Sequence, residues 1–200
     1  FYNPSAAYLS ARKVRADVEE ARHTLAKLIG AKSAEIIVTA GATESINLAL
    51  GGVDGRIVTV AVEHASVLET ARQRDGCVLA VDDKGRISLD ELRGSLTDDV
   101  TLVSVGYVNS ETGVVQNMRA IAEVIQTVRD ERQSRGVTTP LYLHTDASQA
   151  AGLFDLNVSR LGVDLMTLNA GKCYGPKQVG LLYVRAGIHL KPLILGGGQE

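Results

Sequence analysis

Two cysteines, Cys77 and Cys173, are all that this 200-residue chain contains. They are too few for a disulfide framework, and their scarcity fits a reducing cytosol. The four histidines, His23, His64, His144 and His189, are scattered without ligand spacing, which excludes a Cys/His zinc cluster. No stretch of about 18 apolar residues occurs, so a transmembrane helix is excluded. A net charge of -2 gives no pull toward nucleic acid or an acidic membrane surface. Internal repeats and low-complexity linkers are absent too. The opening Phe1-Tyr-Asn-Pro-Ser5 lacks an initiator Met and the charged-then-apolar profile of a signal peptide, so a fragment or trimmed chain is expected.

What is present is a hydrophobic content of 45%, enough to bury a sizeable core in one or two domains. Val14, Val18, Ala21, Leu25 and Leu28 recur at steps of four and three, which predicts an amphipathic helix over about 10–29. Gly30 is placed to end it in a left-handed cap. Strands are expected at 35–39, 56–62, 77–81, 100–105, 140–145, 163–168 and 179–184. Helices are expected near 45–50, 66–74, 88–93 and 118–134, the third opened by Ser88 as N-cap with Glu91 completing a capping box. Strands that alternate with helices imply an α/β fold: a mostly parallel mixed sheet with helices on both faces. The link from Lys172 to the last strand is too short for a helical crossover, so that strand should run antiparallel.

In such a sheet the carboxyl ends of the strands form the ligand crevice. Asn169-Ala-Gly-Lys172 follows one apolar strand, and Asp146-Ala-Ser-Gln149 follows another. Taken singly, Lys172 reads as a surface loop lysine, but its small neighbours Ala170 and Gly171 argue for a deep position. Asp146 reads as a helix N-cap or, beside His144, as half of a metal pair with no third ligand nearby. Gln149 reads as a solvated polar residue unless it shares the first helical turn with Asp146, when both point the same way. Together a lysine and an aspartate at one crevice match the needs of pyridoxal phosphate: an amine for attachment and an anion for the pyridinium nitrogen. Gly41-Ala42-Thr43 opens a helix whose free N–H groups favour an anion, such as a phosphate. It is not a P-loop, because the closing Lys-Ser/Thr pair is missing. Glu63-His64 ends one strand on the same side, where His64 is a structural residue, a flat partner for an aromatic ligand or a proton shuttle. Asn109-Ser110-Glu111 follows another strand, as a plain turn or as a contact to a cofactor oxygen.

As an ordered set these segments resemble the cysteine desulfurase branch of the class V aminotransferases. The matching pieces are Phe1–Ser5, Gly41–Ser45, Glu63-His64, Asn109–Gln116, Asp146–Gln149, Lys172–Lys177 and Gly196–Glu200. The resemblance implies the large domain of a fold-type I pyridoxal-phosphate transferase at 31–190. Residues 1–30 then form a helical preface, and 191–200 begin the connection to a C-terminal small domain. It implies Lys172 as the cofactor-bearing lysine, Asp146 on the pyridine nitrogen, Gln149 on the phenolic oxygen, His64 stacked on the ring, and Ala42 and Thr43 at the phosphate. Catalytic roles are thus expected for Lys172 and His64. Cofactor contacts are expected for Ala42, Thr43, His64, Asn109, Ser110, Asp146, Gln149, Asn169 and Lys172.

The chain departs from the family in two places. Asn169-Ala170-Gly171 stands where Ser-Gly-His usually precedes the lysine, and Asn109-Ser110-Glu111 stands for Asn-Asn-Glu. The implied reaction of the full-length parent is removal of sulfur from L-cysteine, giving alanine and an enzyme persulfide for iron–sulfur clusters or tRNA thiolation. A homodimer is implied, with a sulfur acceptor or scaffold protein as further partner. The persulfide cysteine is expected outside these 200 residues, which alone should be inactive. The competing expectations are a selenocysteine lyase or other class V aminotransferase, and a non-catalytic interaction module.

Overall fold

The computed structural model describes residues 2–196, so Phe1 and the last four residues of the Gly196–Glu200 segment lie outside the described residues. A first helix, α1 (Leu9–Ile29), ends at Gly30 in the left-handed conformation, φ 71°. There follow β1 (Ile36–Thr39), α2 (Ala42–Gly51), β2 (Arg56–Val60), α3 (Ala65–Arg72), β3 (Cys77–Leu79), α4 (Leu89–Ser95), β4 (Val100–Ser104) and α5 (Met118–Ser134). The chain closes with β5 (Tyr142–Asp146), α6 (Val158–Leu161), β6 (Leu165–Asn169) and β7 (Gly180–Val184). Ser88 caps α4 as expected, its hydroxyl accepting from the Glu91 N–H.

Among the described residues the strands form one seven-stranded sheet in the order β1-β7-β6-β5-β4-β2-β3. Strands β2 to β6 pair in parallel, while β7 lies antiparallel to both β6 and β1. The antiparallel last strand is therefore as expected, and β1 points the same way as the parallel set. Chain order reverses about β2, with β3 outside it and β4 inside. The carboxyl ends of β2, β4, β5 and β6 open on one side of the sheet, where a crevice belongs.

Each face of the sheet buries its own apolar cluster. On one, α2 and α3 place Ile46, Leu50 and Val67 against Ile57, Leu102 and Leu182. On the other, Leu92, Ile121 and Ile125 of α4 and α5 meet Val58, Val103, Leu143 and Met166. Burial on both sides explains why the strands read as nearly unbroken apolar runs.

Helix α1 corrects one expectation. Its buried side chains are Ala11, Ala26 and Ile29, whereas Val18, Ala21, Leu25 and Leu28 face outward. Periodicity predicts a helix, but which stripe is buried depends on the surface the helix meets. Here the small Ala11 and Ala26 give the closer approach.

One buried carboxylate in the core is fully matched. Asp164, buried just before β6, accepts the Leu143 N–H at 2.7 Å and pairs with Arg129 and Arg185. Asp164→Ala should destabilise the fold by about 3 kcal/mol, near the lower end for a broken buried pair because both guanidiniums reach solvent. Urea unfolding of the variant checks this.

Candidate active site

The crevice is a cleft of about 650 Å³, and it gathers the segments that follow five strands. Ala42, Thr43, His64, Asn109, Ser110, Asp146, Gln149, Asn169 and Lys172 all line it. Every residue expected to contact the cofactor is thus brought to one place. How each is held there differs from residue to residue.

The Gly41 turn begins α2 without any capping side chain. The Ser45 N–H reaches the Gly41 carbonyl at 3.1 Å, so the amides of Ala42, Thr43 and Glu44 have no acceptor within the helix. Glu44 turns its carboxylate back to the Ala40 N–H at 2.6 Å, leaving the helix end open. Close packing fixes the turn. A Cβ on Gly180, at the start of β7, would lie 2.5 Å from the Gly41 carbonyl carbon and 2.6 Å from its Cα. Gly180→Ala must therefore displace the turn, at a cost of about 1–3 kcal/mol. Binding of pyridoxal phosphate, read by fluorescence titration, should weaken by about tenfold or more as the amides move.

At the end of β5, Asp146 Oδ1 accepts the Ser148 N–H at 2.9 Å, which leaves Oδ2 for the cleft. The segment from Ser148 to Leu153 is a succession of turns, not the helix expected from spacing. Asp146 and Gln149 still meet in the cleft, but the Asp is held by an Asx turn rather than serving as a helix N-cap. His144, one pleat earlier on the same face, is fully buried. Its Nδ1 lies 2.9 Å from Ser104 Oγ and its Nε2 3.0 Å from Thr167 Oγ1. Burial pushes its pKa down to about 3. It is thus a neutral core group bonded to the two neighbouring strands. Among the described residues no group of three or more His, Cys, Asp and Glu is placed to hold a metal ion, and both ring nitrogens of His144 are taken up by hydroxyls.

His64 is the N-cap of α3, with Nδ1 accepting from the Ser66 N–H at 3.1 Å and 2.7 Å from Ser66 Oγ. Accepting an amide proton requires the lone pair on Nδ1, so the neutral ring carries its proton on Nε2. The exposed ring is thereby fixed in tautomer and aim. Asn109 is spent on the protein: its amide donates to the Val62 carbonyl at 2.7 Å, and its oxygen accepts from the N–H groups of Glu111 and Thr112 and the Thr112 hydroxyl. It shapes the loop that presents Ser110.

Lys172 corrects the largest expectation. It is exposed at the rim of the cleft, not deep, in a single 3-10 turn (Ala170–Lys172) after β6. The chain leaves the sheet at Asn169 and runs exposed from Gly171 to Gln178, with Tyr174 and Gln178 at φ 62° and 59°. Small neighbours here mark a turn, not burial. Asn169 Oδ1 holds that turn by accepting the Gly171 N–H at 3.0 Å. Lys172 Nζ has no protein partner.

Sequence reasoning passed over Glu63, whose carboxyl lines the cleft and accepts the Gly106 N–H at 2.6 Å. Burial pushes its pKa up to about 8, against the pull of the Gly106 N–H and with a further push from Asp146.

The class V aminotransferase profile matches residues 3–200. The chain belongs to the class V aminotransferase family. Cysteine desulfurase IscS of Dictyoglomus turgidum is 39% identical over the whole chain, which spans 51% of that protein. The mitochondrial cysteine desulfurase of Saccharomyces cerevisiae is 41% identical over 92% of the chain, which spans 37% of it. The solved structure of SspA in complex with cysteine superposes with a TM-score of 0.89 at 33% identity, covering 100% of this chain and 58% of that one. The chain thus spans about half the length of the curated relatives it matches. The family depends on pyridoxal phosphate. The residues present fit that group: open amides at the start of α2 for an anion, a carboxylate oxygen for a ring nitrogen, and an unpartnered amine at the rim.

Proposed function

We propose that the full-length protein is a pyridoxal-phosphate-dependent cysteine desulfurase that takes sulfur from L-cysteine, and that residues 31–190 are its cofactor-binding domain. The convergence of the α2 amides, Asp146 and Lys172 on one cleft carries this reading. When bound, pyridoxal phosphate supplies an electron sink for carbanion chemistry at the substrate Cα. Asp146 Oδ2 would hold a proton on the pyridine nitrogen, and Gln149 would hydrogen-bond the phenolic oxygen. The amides of Ala42 and Thr43, with the Thr43 hydroxyl, would hold the phosphate. Ser110 and the Asn169 amide, which stand where the family has other residues, add donors at the same end. Lys172 Nζ, free of any ion pair, is the amine that would attach the cofactor and that stands ready to carry a proton at the cleft rim. His64, its Nδ1 held by Ser66, would pack its ring against the cofactor with Nε2–H left free as a donor.

Neither cysteine suits the sulfur-accepting role. Cys173 Sγ is turned to the carbonyls of Asn169 and Ala170 in its own turn, and Cys77 lies half-buried on the edge strand β3. The accepting thiolate therefore comes from outside these 200 residues. A homodimer, a sulfur acceptor or scaffold protein as partner, and a reducing compartment such as the cytosol complete the proposal. No helix among the described residues is long and apolar enough to cross a membrane. Supplying L-cysteine to the full-length protein should yield alanine and sulfide in equal amounts under reducing conditions. A keto acid as the product would overturn the reading in favour of a transaminase.

A further inference from the structure

We propose that Glu63 is a positioning residue of the cleft. It is a neutral carboxyl wedged against Gly106 that joins the loop after β2 to the loop after β4 and leaves Asp146 as the one anion of the pair. Two consecutive amides where β4 ends carry the geometry. The Gly106 N–H donates to Glu63 Oε1 at 2.6 Å, and the next, Tyr107 N–H, donates to the Asp146 carbonyl at 2.9 Å. The wedge is tight: a Cβ on Gly106 would stand 3.1 Å from Glu63 Oε2 and 3.3 Å from Oε1. Among the described residues no cation pairs with Glu63, and Oε2 has no protein partner. A half-buried carboxyl that shares its cleft with a second carboxylate, with one neutral donor and no cation paired to it, keeps its proton. The other titratable groups on the cleft are His64, Glu111, Asp146 and Lys172, and His144 lies beneath Asp146 on β5. Burial raises the Glu63 pKa to about 8, and Asp146 is the charge that acts on it. For the cofactor this matters because a single negative charge is left to match a protonated ring nitrogen, a consequence that rests on the reading above.

The sign of the pH dependence separates Glu63 from its surroundings. A carboxyl whose pKa is raised in the fold adds stability that is complete below its ordinary value of 4.5 and is lost as pH rises through about 8. His144, with its pKa lowered from 6.5 to about 3, does the opposite: its contribution is present above 6.5 and lost as pH falls. The two slopes cancel between about pH 4.5 and 6.5. From 6.5 to 8 the Glu63 proton dominates, approaching a tenfold change per pH unit near pH 7 and tailing off toward 8, while the last of the His144 contribution offsets it by about twofold.

Chemical denaturation of the cofactor-free protein at pH 6.5 and pH 8 tests this. The folded-to-unfolded ratio should fall by about eightfold in the native sequence and should not fall in Glu63→Gln, whose carboxamide keeps the shape and neutrality of the acid. The same variant should bind pyridoxal phosphate at pH 7 within about threefold of the native protein. An unchanged pH slope in Glu63→Gln would overturn the proposal. Should that variant not fold, carbon-13 titration of the native glutamates decides instead: one carboxyl titrating near pH 8 supports the proposal, and all of them titrating below pH 6 sinks it. Failure of the protein to bind pyridoxal phosphate at any pH would remove the cofactor reading while leaving the cofactor-free titration to stand or fall alone.

Discussion

Lys172→Ala is expected to abolish the visible absorbance of the lysine-linked cofactor and to lower the turnover of L-cysteine by the full-length protein by about a thousandfold or more. Among the described residues Lys172 is the only lysine that lines the cleft, so no second amine stands ready to replace it. Its Nζ serves twice in the proposed function, as the point of attachment and as the group that carries a proton at the cleft rim. Proton transfer by a positioned side chain is worth about 10²–10⁴-fold by itself, and loss of attachment adds to that. Binding of free pyridoxal phosphate should survive within about tenfold, because the amides that open α2 and the Asp146 carboxylate do not depend on the lysine. Stability should barely change, since the side chain is exposed and unpartnered. A variant that kept the native spectrum and rate would remove Lys172 from the chemistry.

The second large effect is expected at Asp146. Asn in its place keeps the shape and still accepts the Ser148 N–H through its amide oxygen, so the turn after β5 should hold. What is lost is the charge that fixes a proton on the ring nitrogen. Removing a positioned electrostatic partner of this kind costs about 10²–10³-fold in kcat. Loss of one charge-assisted hydrogen bond should weaken cofactor binding by about tenfold or more. Because the Asp146 charge also pushes the Glu63 pKa upward, Asp146→Asn should move that carboxyl's titration to lower pH. Steady-state kinetics and a cofactor-binding titration on the same variant read the first two effects. Near-native kcat would mean that Oδ2 does not face the ring nitrogen.

The strands were legible because burial on both faces leaves apolar runs that few other structures produce. The site followed from them, since Asp146, Lys172, His64 and Asn109 each stand just beyond such a run. Three features were hidden because they depend on what approaches from elsewhere in the chain. The stripe Val18, Ala21, Leu25 and Leu28 defines a helix but not its buried face, which Ala11 and Ala26 set by allowing close contact. The small residues before Lys172 serve a tight exposed turn as well as a deep pocket, and only the left-handed Tyr174 and Gln178 show which it is. Glu63 looks like an ordinary surface acid at the end of a strand until Gly106, 43 positions later, is laid against its carboxyl. His144 carried a signal that could have been used. A histidine inside an apolar strand needs partners, and the two neighbouring strands hold hydroxyls at Ser104 and Thr167.

The central claim is that this cleft binds pyridoxal phosphate through Lys172. Borohydride reduction of the protein loaded with pyridoxal phosphate, followed by digestion and mass mapping, tests it most directly. A single reduced phosphopyridoxyl group on the peptide that contains Lys172, at about one per chain, is the predicted result. Label absent, or spread over exposed lysines such as Lys27 and Lys177, would contradict it.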